Sequence, residues 1–303
     1  MKNNFLVVIA GPTAVGKTSL TIRLATHFKS IILSADSRQF FKEISIGTAK
    51  PSAEELQKVP HFFINSHSVF EEYNVGMYEQ DAISLLKNNF SDTQKIIFLT
   101  GGSGLYIDAV CNGFDEVPEK NNVIRKKLQN ELDEKGITYL QSQLEKIDPD
   151  YFQQMDTANP QRLIRALEVC LSTGKTYSSF RKKKKKERDF KIVKIALNIP
   201  RNELYQRIDK RVNEMMENGL KEEVKKMYPH KNINALQTVG YKEIFEAIEN
   251  KISMQEAVDL IKQNSRRYAK RQLTWFRKDK EYQWFSPDEE EKIIQYIKNK
   301  ISE

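Results

Sequence analysis

Near the start of the chain, two glycines, a lysine and a threonine stand at a spacing that suits polyphosphate binding. Gly11, Pro12, Thr13, Ala14, Val15, Gly16, Lys17 and Thr18 fit the pattern G-x-x-x-x-G-K-[ST]. Gly11 and Gly16 free the backbone to turn its N–H groups inward, and a helix N-terminus behind them adds partial positive charge. Lys17 offers a point charge to the outer phosphates, and the Thr18 hydroxyl can ligate Mg2+. The flanks agree: residues 6–9 read as a buried strand, and Leu20, Ile22 and Leu24 mark a helix over 19–28. The loop alone leaves the ligand open between ATP, GTP and a diphosphate carried on another group.

Further groups fall near it. Asp36 lies just past a short apolar strand at 31–34. A carboxylate there can hold Mg2+ through water, bind a ribose hydroxyl or act as a general base; a turn residue is the plainer reading. Gly101-Gly102-Ser103-Gly104 follows a strand at 95–100 that does not end in the aspartate of a nucleotide hydrolase. Arg207 and Arg211 stand four apart in LYQRIDKRV, so they share a helical face that Asp209 does not. Unpaired, they suit phosphate oxygens, although a solvated surface has the same spacing. In 265–280, Arg267, Arg271 and Lys278 approach one stripe with Tyr268, Trp275 and Phe276 interleaved. That suits RNA backbone and stacked bases, or an amphipathic helix burying Tyr268, Leu273 and Phe276.

The elements that must carry these groups alternate between strand and helix as far as Gly113. Ser52 and Glu55 predict a capping box opening a helix at 52–58; residues 61–64 read as a strand and 78–88 as a helix. The class is therefore α/β, a phosphate-loop core with a mostly parallel sheet. Ligands of such sheets gather at strand C-terminal ends, which puts the loop, Asp36 and Ser103 on one edge. From 122 to 178 every segment reads as helical (123–135, 137–147, 160–172). A strand returns at 191–199, followed by helices at 201–218, 221–227, 241–250, 253–277 and 287–301. We expect a core of residues 1–113 and 190–303, helical at its C-terminal end, and an all-helical insertion at 114–189.

The 303 residues are 39% hydrophobic, and no apolar run approaches the roughly 18 residues of a membrane span. Residues 1–4 lead straight into the first strand, leaving no room for a signal peptide. Cys111 and Cys170 are the only cysteines, and with four scattered histidines they suggest neither a zinc site nor a disulfide framework. The expected compartment is the cytoplasm. The net charge of +8 is concentrated: residues 181–191 and 266–280 each carry +6, leaving the remainder at −4. An acidic protein with two basic segments suits a polyanionic partner, with solvated lysine faces as the alternative.

Together these stretches resemble the tRNA dimethylallyltransferases (tRNA isopentenylpyrophosphate transferases). The resemblance runs over nearly the whole chain: GPTAVGKT (11–18), ADSRQ (35–39), IGTAKP (46–51), GGSGLY (101–106), NPQRLIRALEV (159–169), LYQRIDKRV (204–212), TVGYKE (238–243) and AKRQLTWFR (269–277). It implies a phosphate-loop core with an inserted helical domain that contacts tRNA. It also implies transfer of a dimethylallyl group from dimethylallyl diphosphate to N6 of the adenine next to the anticodon, with Mg2+ as cofactor, no membrane, and a monomer. Residues 11–18 with Arg207 and Arg211 would hold the diphosphate, with Thr18 on the metal; Lys17, Asp36 and Ser103 would be catalytic, Asp36 as the base. Asp36, Ser37, Arg38, Gln39, Ser103, Arg125, Gln161, Arg162, Leu163, Ile164, Arg165, Gln237, Thr238, Val239, Gly240, Tyr241 and Lys242 match stretches that touch tRNA. Ser103 replaces the family's usual threonine, and Phe41, Phe62 and Asn65 depart from its pattern, so no role is carried to those three. A prenyltransferase of free adenine nucleotides, a nucleotide kinase and an RNA-binding module with a vestigial loop are the competing readings.

Overall fold

Phe5–Ala10 (β1) is buried at every position, as an uninterrupted apolar run must be when both faces of a sheet are covered. The computed structural model describes residues 4–91, 95–115, 117–181 and 185–302. After β1 come α1 (Lys17–His27), β2 (Ile32–Ser34), α2 (Ala53–Lys58), β3 (His61–Phe62), α3 (Val75–Asn89), β4 (Ile96–Gly101) and α4 (Gly104–Asn112). Five helices follow: α5 (Asn122–Lys135), α6 (Ile137–Ile147), α7 (Pro149–Gln154), α8 (Pro160–Thr173) and α9 (Tyr177–Phe180). The chain ends with β5 (Lys191–Leu197), α10 (Arg201–Glu217), α11 (Leu220–Met227), α12 (Tyr241–Ile248), α13 (Met254–Lys278), β6 (Gln283–Phe285) and α14 (Glu290–Ser302). Two compact units result, one of residues 1–111 and 187–303, the other of 112–186.

In the first unit six strands pair in parallel in the order β3-β2-β4-β1-β5-β6. The chain steps from β1 to β2 across the place that β4 later fills, and this reversal opens a crevice at the strand C-termini. Registers align those ends: Ala10 lies opposite Gly101 and Ala196, and Ser34 opposite Thr100. Alternate residues of β1 feed two cores, Leu6 and Val8 on one face, Val7 and Ile9 on the other. Tyr78 of α3 is fully buried, stacks on Phe40 and donates its hydroxyl to Ser34 O at 2.9 Å, which fixes the end of β2. The capping box expected at Ser52 and Glu55 is formed.

Lys194 of β5 faces the core. Burial would lower its pKa, but hydrogen bonds to Asp279 and Glu281, each 2.7 Å away, outweigh that and raise it. These carboxylates tie the segment leading into β6 to the sheet edge. The second unit is helical throughout its described elements, around Leu128, Leu140, Leu144, Leu163, Ile164 and Leu167. Asp148, almost fully buried, accepts from Tyr151 N–H, Ser178 N–H and Ser178 Oγ, and so joins α7 to α9.

Candidate active site

The phosphate loop joins β1 to α1 through residues in left-handed backbone: Gly11 at φ +152°, Ala14 at +63° and Gly16 at +103°. At Gly11 a Cβ would come within 2.9 Å of Leu197 O, so only glycine lets the loop pass the end of β5. Lys17 donates to Pro12 O at 2.7 Å across the loop. Loss of water lowers its pKa to about 7; Asp36 opposes that shift and Arg211 adds to it. An ammonium held this way is poised to gain from an incoming anion.

Two arginines reach the loop from α10. Arg211 Nη1 donates to Thr13 Oγ1 at 3.0 Å, and burial lowers the guanidinium's pKa against the pull of Asp36. Arg207 Nη1 approaches Val15 O at 3.5 Å, while its Nη2 pairs with Glu203 at 2.6 Å. Arg207 is therefore not the unpaired cation its spacing suggested. Thr13, Lys17, Thr18, Asp36, Arg207 and Arg211 line one cleft of about 400 Å³. An adjoining cavity of about 240 Å³ shares Thr13, Asp36, Arg211 and Tyr268 with it and adds Ile208, Val212, Met215, Val239 and Ile261.

Asp36 sits where β2 ends, and its Oδ1 accepts from Arg38 N–H at 3.1 Å. Ser103, buried at the head of α4, accepts from Ser37 N–H at 3.0 Å, and its hydroxyl lies 3.2 Å from that of Ser37. Ser103 thus steadies the turn that presents Asp36. Gln39 accepts from Ser34 Oγ and donates to the carbonyls of Thr48 and Ala49, so its amide is committed to the wall of the cleft. Ser103→Ala removes one neutral hydrogen-bonding group, worth about 0.5–1.5 kcal/mol. Its expected cost is up to about tenfold in turnover. Steady-state kinetics check this; a loss of about 10²-fold or more would place Ser103 in the chemistry itself.

The sequence profile of the IPP transferase family matches residues 39–279. A tRNA dimethylallyltransferase from Christiangramia forsetii is 51% identical over 301 residues, 99% of each chain. The chain belongs to the tRNA dimethylallyltransferase family. The transferase is also 45% identical to tRNA dimethylallyltransferase 1 of Bacteroides fragilis, over 98% of each chain. Among solved structures it is similar to the full-length tRNA isopentenylpyrophosphate transferase of Bacillus halodurans, with TM-score 0.72 and 35% identity over 99% of this chain and 97% of that one. It is also similar to a eukaryotic dimethylallyltransferase acting on tRNA, with TM-score 0.73 and 27% identity over 90% and 69% of the two chains. The phosphate loop precedes the profile match, so it testifies separately.

Several residues of the transferase that were expected to touch tRNA are placed otherwise. Leu163 and Ile164 are buried in the core of the helical unit. Tyr241 is fully buried and donates its hydroxyl to Glu223, which also accepts the N–H groups of Ser45, Ile46 and Gly47. It braces the turn leading to Thr48 and Ala49 rather than facing solvent. Thr238, Val239 and Gly240 line the smaller cavity with Arg38 and Ser37, and Gln237 and Lys242 are exposed. In the helical unit Arg125 and Arg165 gather on buried Glu168, with Gln161 3.5 Å from Arg125 and Arg162 exposed. Of the aromatic residues interleaved on α13, Phe276 is in the core, while Trp275 is 39% exposed and donates to Asp108 at 2.9 Å. Asn65, a departure from the family pattern, accepts from Lys50 Nζ at 2.6 Å.

Sequence reasoning missed Gln272. Its Oε1 accepts from Thr13 N–H and its Nε2 donates to Gly102 O. Tyr268, one turn earlier, lines both cavities, and burial, then the charge of Asp36, pushes its pKa up to about 12. The available signal was a polar side chain four residues from a tyrosine on an otherwise basic helix.

Proposed function

We propose that the enzyme transfers a dimethylallyl group from dimethylallyl diphosphate to N6 of the adenine next to the anticodon of tRNA, releasing diphosphate. The observation that carries this reading is a cationic phosphate loop and a carboxylate lining one cleft that continues into a partly apolar cavity. The diphosphate lies on the loop, while the five-carbon chain and the adenine ring meet beside Asp36. As N6 bonds to the terminal carbon, the carbon–oxygen bond breaks and its electrons pass to the diphosphate. Lys17, Arg211 and Arg207 stabilise that charge. Asp36 accepts the proton that N6 loses.

Among the described residues no group of His, Cys, Asp and Glu could hold a metal alone, while the Thr18 hydroxyl lines the cleft. One hydroxyl together with substrate phosphates is a donor set that suits Mg2+, which supplies further charge neutralisation when bound. β4 ends in Thr100 and Gly101 rather than in the aspartate of a kinase or hydrolase, and Thr100 spends its hydroxyl on Thr21 and Ile9 O. No described helix is long and apolar enough to cross a membrane; a cytoplasmic, monomeric enzyme is part of the same proposal and rests on the family resemblance. Nucleoside mass analysis of unmodified tRNA after incubation with the donor and Mg2+ tests the reading. Adenosine gaining one C5H8 unit supports it; prenylation of AMP but not tRNA, or ATP-dependent phosphorylation, refutes it.

tRNA binding is expected to be strongly salt dependent. Lys182, Lys183 and Lys184 of the first basic segment lie outside the described residues, but Arg267 and Arg271 are exposed on α13. Arg267→Ala with Arg271→Ala is expected to flatten the slope of log affinity against log salt by about 1–2, as for the loss of one or two phosphate contacts. Donor binding should be unchanged. A filter-binding salt titration with an unaltered slope would make these side chains solvated surface only.

A further inference from the structure

Gln272 is the one side chain described above that hydrogen-bonds both the phosphate loop and the loop that carries Ser103. It is 5% exposed. Its Oε1 accepts Thr13 N–H at 2.9 Å, and its Nε2 donates to Gly102 O at 2.9 Å. Thr13 N–H can only donate and Gly102 O can only accept, so the amide has one satisfied orientation and loses both bonds if it flips. On one side, Thr13 is also held through its hydroxyl by Arg211. On the other, Gly102 precedes Ser103, which fixes Ser37 and with it the turn that presents Asp36. The fit is tight: a Cβ on Gly102 would fall 2.1 Å from Nε2. One turn further along α13, Trp275 bonds to Asp108 of α4, so α13 is also anchored to the helix that follows that loop.

We infer that Gln272 is a positioning residue that keeps the donor and acceptor halves of the site in register. This rests on the prenyl-transfer reading above. In that reaction the phosphate loop sets where the departing carbon lies, and the Asp36 turn sets where N6 lies. Each half can bind its own substrate. Transfer, however, needs the two atoms about 3–3.5 Å apart and aligned, and an error of about 1 Å can cost about 10²-fold. Gln272 lines the phosphate cleft, but its amide is committed to Thr13 N–H and Gly102 O, so its expected effect is on the rate more than on either affinity.

The test uses Gln272→Met, which keeps length and volume without the hydrogen bonds, and Gln272→Ala. Melting temperature, binding of inorganic diphosphate, binding of tRNA and the single-turnover transfer rate at saturation are measured on the full chain. The inference expects both affinities and the melting temperature of Gln272→Met to stay near wild type while its rate falls about 10–10²-fold, with Gln272→Ala at least as slow. It is overturned if both variants transfer at the wild-type rate. It is equally overturned if the rate falls only in step with weakened binding or lost stability, which is what a merely structural role would give. A wild-type enzyme inactive on tRNA and dimethylallyl diphosphate would refute the proposed function instead.

Discussion

Asp36→Asn is expected to slow transfer by about 10²–10⁴-fold, the usual span for removing a general base, with little change in the binding of either substrate. An exocyclic adenine amine is a poor nucleophile because its lone pair is delocalised into the ring. The transition state therefore needs an acceptor that orients the amine and takes its proton. Asp36 stands where β2 ends, held through Oδ1 by Arg38 N–H, and lines both the phosphate cleft and the cavity beside it. Asparagine keeps the size and one acceptor oxygen but cannot take the proton. Single-turnover rates alongside separate donor and tRNA affinities check this. If Asp36→Asn instead weakened donor binding and raised the Mg2+ requirement, with full turnover at saturation, Asp36 would belong to the metal site.

Lys17→Ala is expected to weaken the donor and slow its departure by about 10²–10³-fold, the usual cost of deleting one charge-stabilising donor, while tRNA still binds. Lys17 is held against Pro12 O with its pKa lowered to about 7 by loss of water, and the charges of Arg211 and Asp36 act on it in opposite senses. A diphosphate on the loop adds counter-charge to that of Asp36, and the leaving oxygen gains negative charge as its bond to carbon breaks. Isothermal titration with inorganic diphosphate and single-turnover kinetics measure the two effects. Loss of tRNA binding with intact diphosphate binding would contradict the assignment.

Sequence reading reached the phosphate loop, Asp36 and Ser103 because each is local: a short motif or a polar residue just past an apolar run. The parallel α/β rule then puts those ends on one edge, as the registers of β1, β2 and β4 do. What it could not reach depends on long-range contacts. Gln272 meets Thr13 and Gly102 across most of the chain's length, and nothing in the spacing of α13 distinguishes it from a surface glutamine. Tyr241, Leu163 and Ile164 stand in stretches resembling tRNA contacts, but their side chains point into cores that only the folded packing defines. β6 is three residues long, too short to carry a period, and Lys194 of the neighbouring β5 holds Asp279 and Glu281 just before it. The helices α7 and α9 are too short to carry a period, and buried Asp148 holds them together.

The central claim is that one cleft couples departure of diphosphate to bond formation at a tRNA adenine. Rapid-quench single turnovers with labelled dimethylallyl diphosphate test it most directly, with diphosphate and prenylated adenosine counted in the same samples. The account predicts one diphosphate released per prenylated adenosine, at one rate, and none without tRNA. Diphosphate release without tRNA at the same rate, or prenylated adenosine appearing with a rate unrelated to it, would contradict the account.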